Sequence, residues 1–268
     1  MSAPVDALLI DLDGVVWLGG DPIPGSIAAI ERLRAGGVDV MFLTNDPRSA
    51  PDDYATRLTT VGLPTDTVDV ITAGRALAAF VAEREGVGSP VLVIGSDGLR
   101  SEIRAAGLTF CDHDDAAAAH AVAVGGHDGF HYDELRAAVR AVDSGARLYA
   151  AGRDRTFPMP DGRWPATGAI LAAVEYATGT QAIAVGKPHR YIFDLARRRL
   201  PPDRRIGIVG DNLDADIAGG HAAGLRTILV LTGNTRPEDL DAAAVPPDVV
   251  APDLAAVAGI ILDGRGET

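Results

Sequence analysis

Short aliphatic runs alternate with amphipathic stretches along nearly the whole 268-residue chain, and that alternation leaves few architectures open. Strand-length runs fall at 7–11, 39–44, 91–95, 120–125, 147–150, 182–185, 206–210 and 227–231. Helical patterns fall between them at 26–35, 52–61, 73–84, 132–142, 167–177, 192–199 and 215–223. Strands separated by helices pair in parallel through right-handed crossovers, so the expected fold class is α/β with a Rossmann-like parallel sheet. Ligands in such sheets collect at the carboxyl ends of the strands.

The first run carries the main chemical clue. Residues 8–14 read Leu-Leu-Ile-Asp-Leu-Asp-Gly, an apolar strand ending abruptly in two carboxylates and a glycine. A buried strand tolerates charge only at its mouth, where a cation or water can reach it. Strand alternation puts Asp11 and Asp13 on the same side. Two carboxylates so placed stay ionised cheaply only with something positive between them, so a metal, a shared proton or both are implied. Three further polar clusters follow strands: Thr44-Asn45-Asp46, Gly210-Asp211-Asn212, and Lys187 after the 182–185 run. Each alone reads as a turn or a helix cap. Together, in one parallel sheet, they would converge on one crevice.

Spacing locates a second domain. The stretch from Asp11 to Thr44 holds a single strand–helix–strand unit, whereas Thr44 to Lys187 holds several. Residues 77–181 are therefore expected to form an inserted α/β domain, with 1–76 and 182–268 together forming the core.

Composition narrows the partners. The net charge of −13 argues against nucleic acid and against an anionic membrane surface. One cysteine, Cys111, excludes an internal disulfide and fits a reducing compartment. No apolar stretch approaches about 20 residues and no basic-then-apolar leader opens the chain, so the expected location is the cytoplasm. Of 24 basic residues a single one, Lys187, is lysine. Codon drift toward arginine explains the arginines but not the exception, which points to a need for a compact ammonium. A Walker loop fails because Pro188 follows Lys187. No Gly-x-Gly-x-x-Gly follows the first strand, and the His127–His131 pair carries no Glu between its members, which disfavours a dinucleotide enzyme and a zinc hydrolase.

Four motifs in order then resemble a known family. Asp-Leu-Asp-Gly-Val at 11–15, Leu-Thr-Asn at 43–45, Gly-Lys-Pro at 186–188 and Gly-Asp-Asn-Leu-x-x-Asp-Ile at 210–217 are similar to the motifs of haloacid-dehalogenase-like phosphatases. The likeness extends to 167–179 and 224–233, and it is closest to the NagD, 4-nitrophenylphosphatase and phosphoglycolate phosphatase branch. That branch carries its cap, of the C2a type, between the second and third motifs.

The resemblance implies a Mg²⁺-dependent phosphatase of small phosphorylated metabolites. Asp11 would be the nucleophile and form an aspartyl-phosphate. Asp13 would be the general acid and then the general base. The Thr44 hydroxyl and the Asn45 N–H would bind phosphoryl oxygens, and Lys187 would pair with Asp11 and neutralise charge. Asp11, the Asp13 carbonyl and Asp211 would hold Mg²⁺, with Asp216 acting through water or by orienting the ligands. His127, Asp128, Arg153, Arg155, Trp164 and His189 are the candidates for choosing substrate, and Arg153 or Arg155 for a second anionic group. Trp17 lines the entrance or anchors the loop; both readings stand open. Asp46 departs from the branch, where a second Asn is common, and adds a negative charge. Arg-Asp-Arg at 153–155 departs likewise.

A phosphonatase needs a cap lysine for its Schiff base, and none exists here. A dehalogenase does not use the second Asp as proton donor. A phosphotransferase or mutase of the superfamily, and a catalytically silent phosphate-binding regulatory protein, are the alternatives. Homodimerisation through the cap occurs among relatives.

Overall fold

Ala7–Asp11 is buried at every position. The computed structural model, which describes residues 5–159 and 162–264, shows why. This strand lies inside a six-stranded sheet, with Asp39–Thr44 then Val70–Thr72 on one side, and Ile206–Gly210, Arg226–Val230 and Val249–Ala251 on the other. Ala7–Asp11 pairs in parallel with both neighbours: Asp11 stands opposite Leu43, and Ile10 opposite both Phe42 and Val209. The chain runs outward on one side of its first strand and later returns to build the other side. The order therefore reverses at Ala7–Asp11, which makes its carboxyl end the topological switch point where α/β sheets hold ligands.

Side chains from the sheet meet the helices Ser26–Ala35 and Leu254–Asp263 in one apolar cluster. It includes Ile10, Phe42, Val209 and Ile228 from strands and Ile30, Leu33, Val257 and Ile261 from helices. Full burial of each such side chain contributes about 2 kcal/mol. That is ample to fix the strand register on which the polar ends depend. Among the described residues, no helix is long and apolar enough to cross a membrane.

The chain divides into two compact units. One comprises residues up to Thr44, Tyr54–Ile71 and Lys187 onward; the other comprises Asn45–Asp53 and Thr72–Gly186. The second unit has its own five-stranded sheet, in the order Ile183–Ala184, Arg147–Ala150, Ala121–Val124, Pro90–Ile94, Thr109–Phe110, again with parallel pairings. An antiparallel hairpin pairs Thr156–Met159 with Gly162–Pro165.

Three sequence expectations are revised here. The division falls at Ile71/Thr72 rather than 76/77, because Thr72 caps the helix Ala73–Glu85 through its hydroxyl, and a cut at 76 would split that helix. The 182–185 run does not join the core sheet: Ile183 and Ala184 pair with Tyr149 and Ala150. Lys187 is instead the first residue of the core unit on the chain's return, so three polar strand ends of the core sheet, not four, share the switch point. Finally, residues 45–53 pack with the second unit, although they directly continue the Asp39–Thr44 strand.

Candidate active site

Asp11 ends the central strand, and beside it the neighbouring strand ends in Thr44, which is 2% exposed. On the other side Ile206–Gly210 delivers Asp211, which is 1% exposed. The chain then makes a widened π-helical turn, Leu213–Ala218, in which the Asn212 carbonyl accepts from the N–H groups of both Asp216 and Ile217. Such turns re-aim side chains at functional positions. This one brings Asp216 back toward the strand end it has just left, with no exposed surface at all.

Lys187 ties these carboxylates together. Its Nζ lies 2.8 Å from Asp11 Oδ1 and 2.7 Å from Asp216 Oδ1, and it donates to the Leu43 carbonyl at 3.4 Å. One carboxylate oxygen each from Asp11, Asp211 and Asp216 falls within 4.8 Å of the others. Two further oxygens are engaged. Asp216 Oδ2 accepts from the Asn212 N–H at 3.2 Å. Asp211 Oδ2 accepts from both the backbone N–H and the side-chain amide of Asn234, at 2.5 and 2.8 Å.

The electrostatics leave a deficit of positive charge. Burial drives the Asp11 carboxyl well above its ordinary pKa, and Asp216 and Asp211 push the same way against the opposing pull of Lys187. Burial and the nearby Asp216 raise Asp211 to about 6. Burial alone would depress the Lys187 ammonium, but Asp11 and Asp216 outweigh it and hold it charged. Three buried carboxylates against one ammonium leave two negative charges uncompensated when all are ionised. A divalent cation with oxygen ligands would balance that sum. Backbone space is kept for these carboxylates: a methyl group on Gly233 or on Gly14 would collide with the Asp211 carboxylate, and one on Gly210 would collide with Asp216. The donor set and its charge therefore fit a hard divalent ion.

Asp13 stands apart from this cluster. Its side chain is exposed, and Oδ1 accepts a 2.9 Å hydrogen bond from Trp17 Nε1. Sequence reasoning did not find Asn234 or the Trp17 bond. Asn234 lies just beyond the 224–233 stretch already noted for its likeness, and nothing in a lone Asn marks it as the partner of an aspartate 23 residues earlier.

The remaining candidates lie in the second unit, except His189, which is exposed just before the core helix Arg190–Arg197. Asn45 donates from Nδ2 to Asp154 Oδ2 at 2.9 Å. Asp46 is neutralised locally: its two oxygens accept from Arg48 Nε and Nη2 at 2.8 and 2.9 Å, and that guanidinium stacks 3.9 Å over the Phe157 ring. The added negative charge at position 46 is thus spent within its own loop. Arg153 is occupied by Glu175, at 3.1 and 2.7 Å, and by the Ala182 carbonyl at 3.0 Å, whereas Arg155 is exposed. His127 Nε2 lies 3.2 Å from Glu134 Oε1, and Asp128 sits in an exposed turn. Trp164 is half-buried on the hairpin against Phe157.

Comparison with known proteins agrees with this geometry. Residues 8–109 match the family described as haloacid dehalogenase-like hydrolase, and residues 184–257 match a HAD-hydrolase-like family. Chronophin from Homo sapiens is 37% identical over 88% of this chain and 84% of its own length. The structure of a p-nitrophenyl phosphatase from Archaeoglobus fulgidus superposes with a TM-score of 0.89 at 32% identity, covering 96% of this chain and all (100%) of that one. A glycerol phosphate phosphatase from Mycobacterium tuberculosis in complex with magnesium superposes with a TM-score of 0.88 at 32% identity, covering 95% of this chain and 76% of the other. With Asp11, Thr44, Lys187, Asp211 and Asp216 in the core unit and relatives of this identity over most of its length, this chain belongs to the haloacid dehalogenase-like hydrolases.

Proposed function

We propose that this protein is a Mg²⁺-dependent phosphatase of small phosphate monoesters that works through phosphorylated Asp11. The observation that carries the reading is the Lys187 ammonium clamped between Asp11 and Asp216, with Asp211 alongside. Asp11, Asp211 and the Asp13 carbonyl would hold the ion, with Asp216 orienting it. When bound, Mg²⁺ supplies charge that offsets the phosphoryl oxygens.

The chain's own residues perform the rest. Lys187 fixes Asp11 Oδ1, which leaves Oδ2 to attack phosphorus. As that O–P bond forms, the ester P–O bond breaks and Asp13 gives its proton to the departing oxygen. Asp13, now a carboxylate, takes a proton from water, the water oxygen attacks phosphorus, and inorganic phosphate leaves as Asp11 is regenerated. Thr44, at the adjacent strand end, and the Asn45 N–H would donate to phosphoryl oxygens. The second unit would serve as the cap that chooses the ester, with His127, Asp128, Trp164 and His189 as contacts. Exposed Arg155, rather than the occupied Arg153, would meet a second anionic group. The strongly negative chain supports a small substrate over nucleic acid or membrane.

Release of 4-nitrophenolate from 4-nitrophenyl phosphate tests the reading. Turnover with Mg²⁺ that disappears with EDTA is expected, and no release at any Mg²⁺ concentration would sink it. Two further outcomes follow from the site. Gly233→Ala pushes into the Asp211 carboxylate and the Gly14 backbone, so kcat/KM should fall by about 10²-fold, the scale of a 1 Å misplacement, and the overpacking should lower stability by about 1–3 kcal/mol, read as a drop in melting temperature. The other concerns pH. Asp211 titrates near 6 in the fold, above its ordinary 3.8. Between those values the folded state holds a proton the unfolded state lacks, so this group erodes stability as pH rises from about 4 to 6. The cation needs the ionised form. Mg²⁺ at about 100 times its Kd should therefore stabilise by about 2.7 kcal/mol at pH 7.5, and much less at pH 5. Differential scanning fluorimetry at both pH values checks this, and equal shifts would contradict it.

A further inference from the structure

We infer that Trp17 is a positioning residue for Asp13, its indole N–H selecting which carboxylate oxygen of Asp13 faces the departing group; the inference rests on the phosphatase reading above. Asp13 needs such a partner. Asp11, Asp211 and Asp216 are buried and cross-linked through Lys187 and Asn234, whereas the Asp13 side chain is exposed at a turn. An exposed carboxylate on a turn samples several rotamers unless something fixed holds it, and proton transfer demands a fixed distance.

Trp17 is fixed from every direction. It is fully buried, 0% exposed. One face stacks on Tyr54, with centroids 6.3 Å apart and planes 11° from parallel. The Arg57 guanidinium lies 3.8 Å from the ring centroid, and the same Arg57 is tethered at 2.6 Å to the Gly19 carbonyl. The backbone is pinned too: the Trp17 N–H donates to the Leu12 carbonyl at 3.2 Å, and its own carbonyl accepts from Gly14 at 2.8 Å. The small hairpin carrying it, Trp17–Leu18 with Asp21–Pro22, is anchored at the Val16 carbonyl, which accepts from the Ile23 N–H at 2.9 Å and from Ser26 Oγ at 2.8 Å.

An indole N–H can only donate. Its 2.9 Å bond makes Asp13 Oδ1 the accepting, carbonyl-like oxygen, so the transferable proton is carried on Oδ2. The tryptophan thus sets the aim of the acid without touching substrate.

Leaving-group dependence tests this, because protonation of the departing oxygen matters little for 4-nitrophenolate and greatly for an alkoxide. Trp17→Phe removes the N–H and keeps a ring between Tyr54 and Arg57. On an alkyl phosphate such as glycerol phosphate its kcat/KM should fall about tenfold or more, a fraction of the 10²–10⁴ that general acid catalysis supplies. On 4-nitrophenyl phosphate the loss should stay within about threefold. The ratio between two esters in one preparation does not depend on how much protein is folded. Should Trp17→Phe fail to fold, Arg57→Ala takes its place, with the same bias expected in smaller measure. An equal loss on both esters, or none, would overturn the inference.

Asp13→Asn separates this from the underlying reading. If Asp13→Asn steepens the leaving-group dependence and Trp17→Phe does not, the positioning role alone fails. If Asp13→Asn leaves that dependence unchanged, the acid role fails and takes the inference with it.

Discussion

Asp11→Asn is expected to lose at least about 10⁴-fold in kcat against 4-nitrophenyl phosphate while keeping its fold. The amide has nearly the shape of the carboxylate but no nucleophilic oxygen anion, so the phosphoryl group has nowhere to go. Stability should not suffer. Asp11 is a buried carboxyl whose charged form is disfavoured by its surroundings, as its raised pKa indicates. A neutral side chain there relieves part of the negative excess, so the metal-free variant should melt at or above the wild-type temperature. Steady-state kinetics and a thermal melt suffice. Activity within tenfold of wild type would remove Asp11 from the role of nucleophile.

Lys187→Met should lose both activity and stability. The ammonium is the common partner of Asp11 and Asp216 and is 3% exposed. Removing one member of a buried charge network leaves the others uncompensated, which costs about 3–5 kcal/mol. The carboxylates can escape that cost by taking up protons. Asp11 and Asp211, already raised by burial, then rise further, so the penalty should be smaller at pH 5 than at pH 8. On turnover, a fall of at least about 10³-fold in kcat/KM is expected, since the cation also orients the nucleophile. Lys187→Arg should not rescue it: a planar fork cannot reproduce a point charge held 2.8 and 2.7 Å from two carboxylates. Chemical denaturation at both pH values reads the stability arm. A destabilisation that grew on acidification would contradict the charge account.

Much of this was legible because the strongest signals are local. Hydrophobic runs 7–11, 39–44, 147–150 and 206–210 coincide with strands to the residue, since a strand buried on both faces needs an unbroken apolar segment. The four motifs were legible for a related reason: each is a strand or turn end where charge interrupts apolar sequence. What escaped lacks such contrast. Leu254–Asp263 reads LAAVAGIILD, apolar almost all round, and so shows no helical period. Val70–Thr72 and Val249–Ala251 are three residues each, too short to rise above background. The strand Ile183–Ala184 is legible as an apolar run but its sheet is not, because pairing partners are a tertiary choice. The Trp17–Asp13 bond was invisible for the same kind of reason: sequence shows that the two are four residues apart, not that a hairpin turns the indole edge back.

The late return of the chain has a consequence for how the molecule is made. A nascent polypeptide that has emerged as far as Gly186 holds every residue of the second unit, but only three of the six strands of the core sheet. Its first strand, wholly aliphatic up to Asp11, then has one edge unpaired until Ile206–Gly210 leaves the ribosome. An open edge of that kind invites the wrong neighbours. Asp11 therefore begins life beside an open edge of its sheet, and that edge is covered only when the last third of the message has been read.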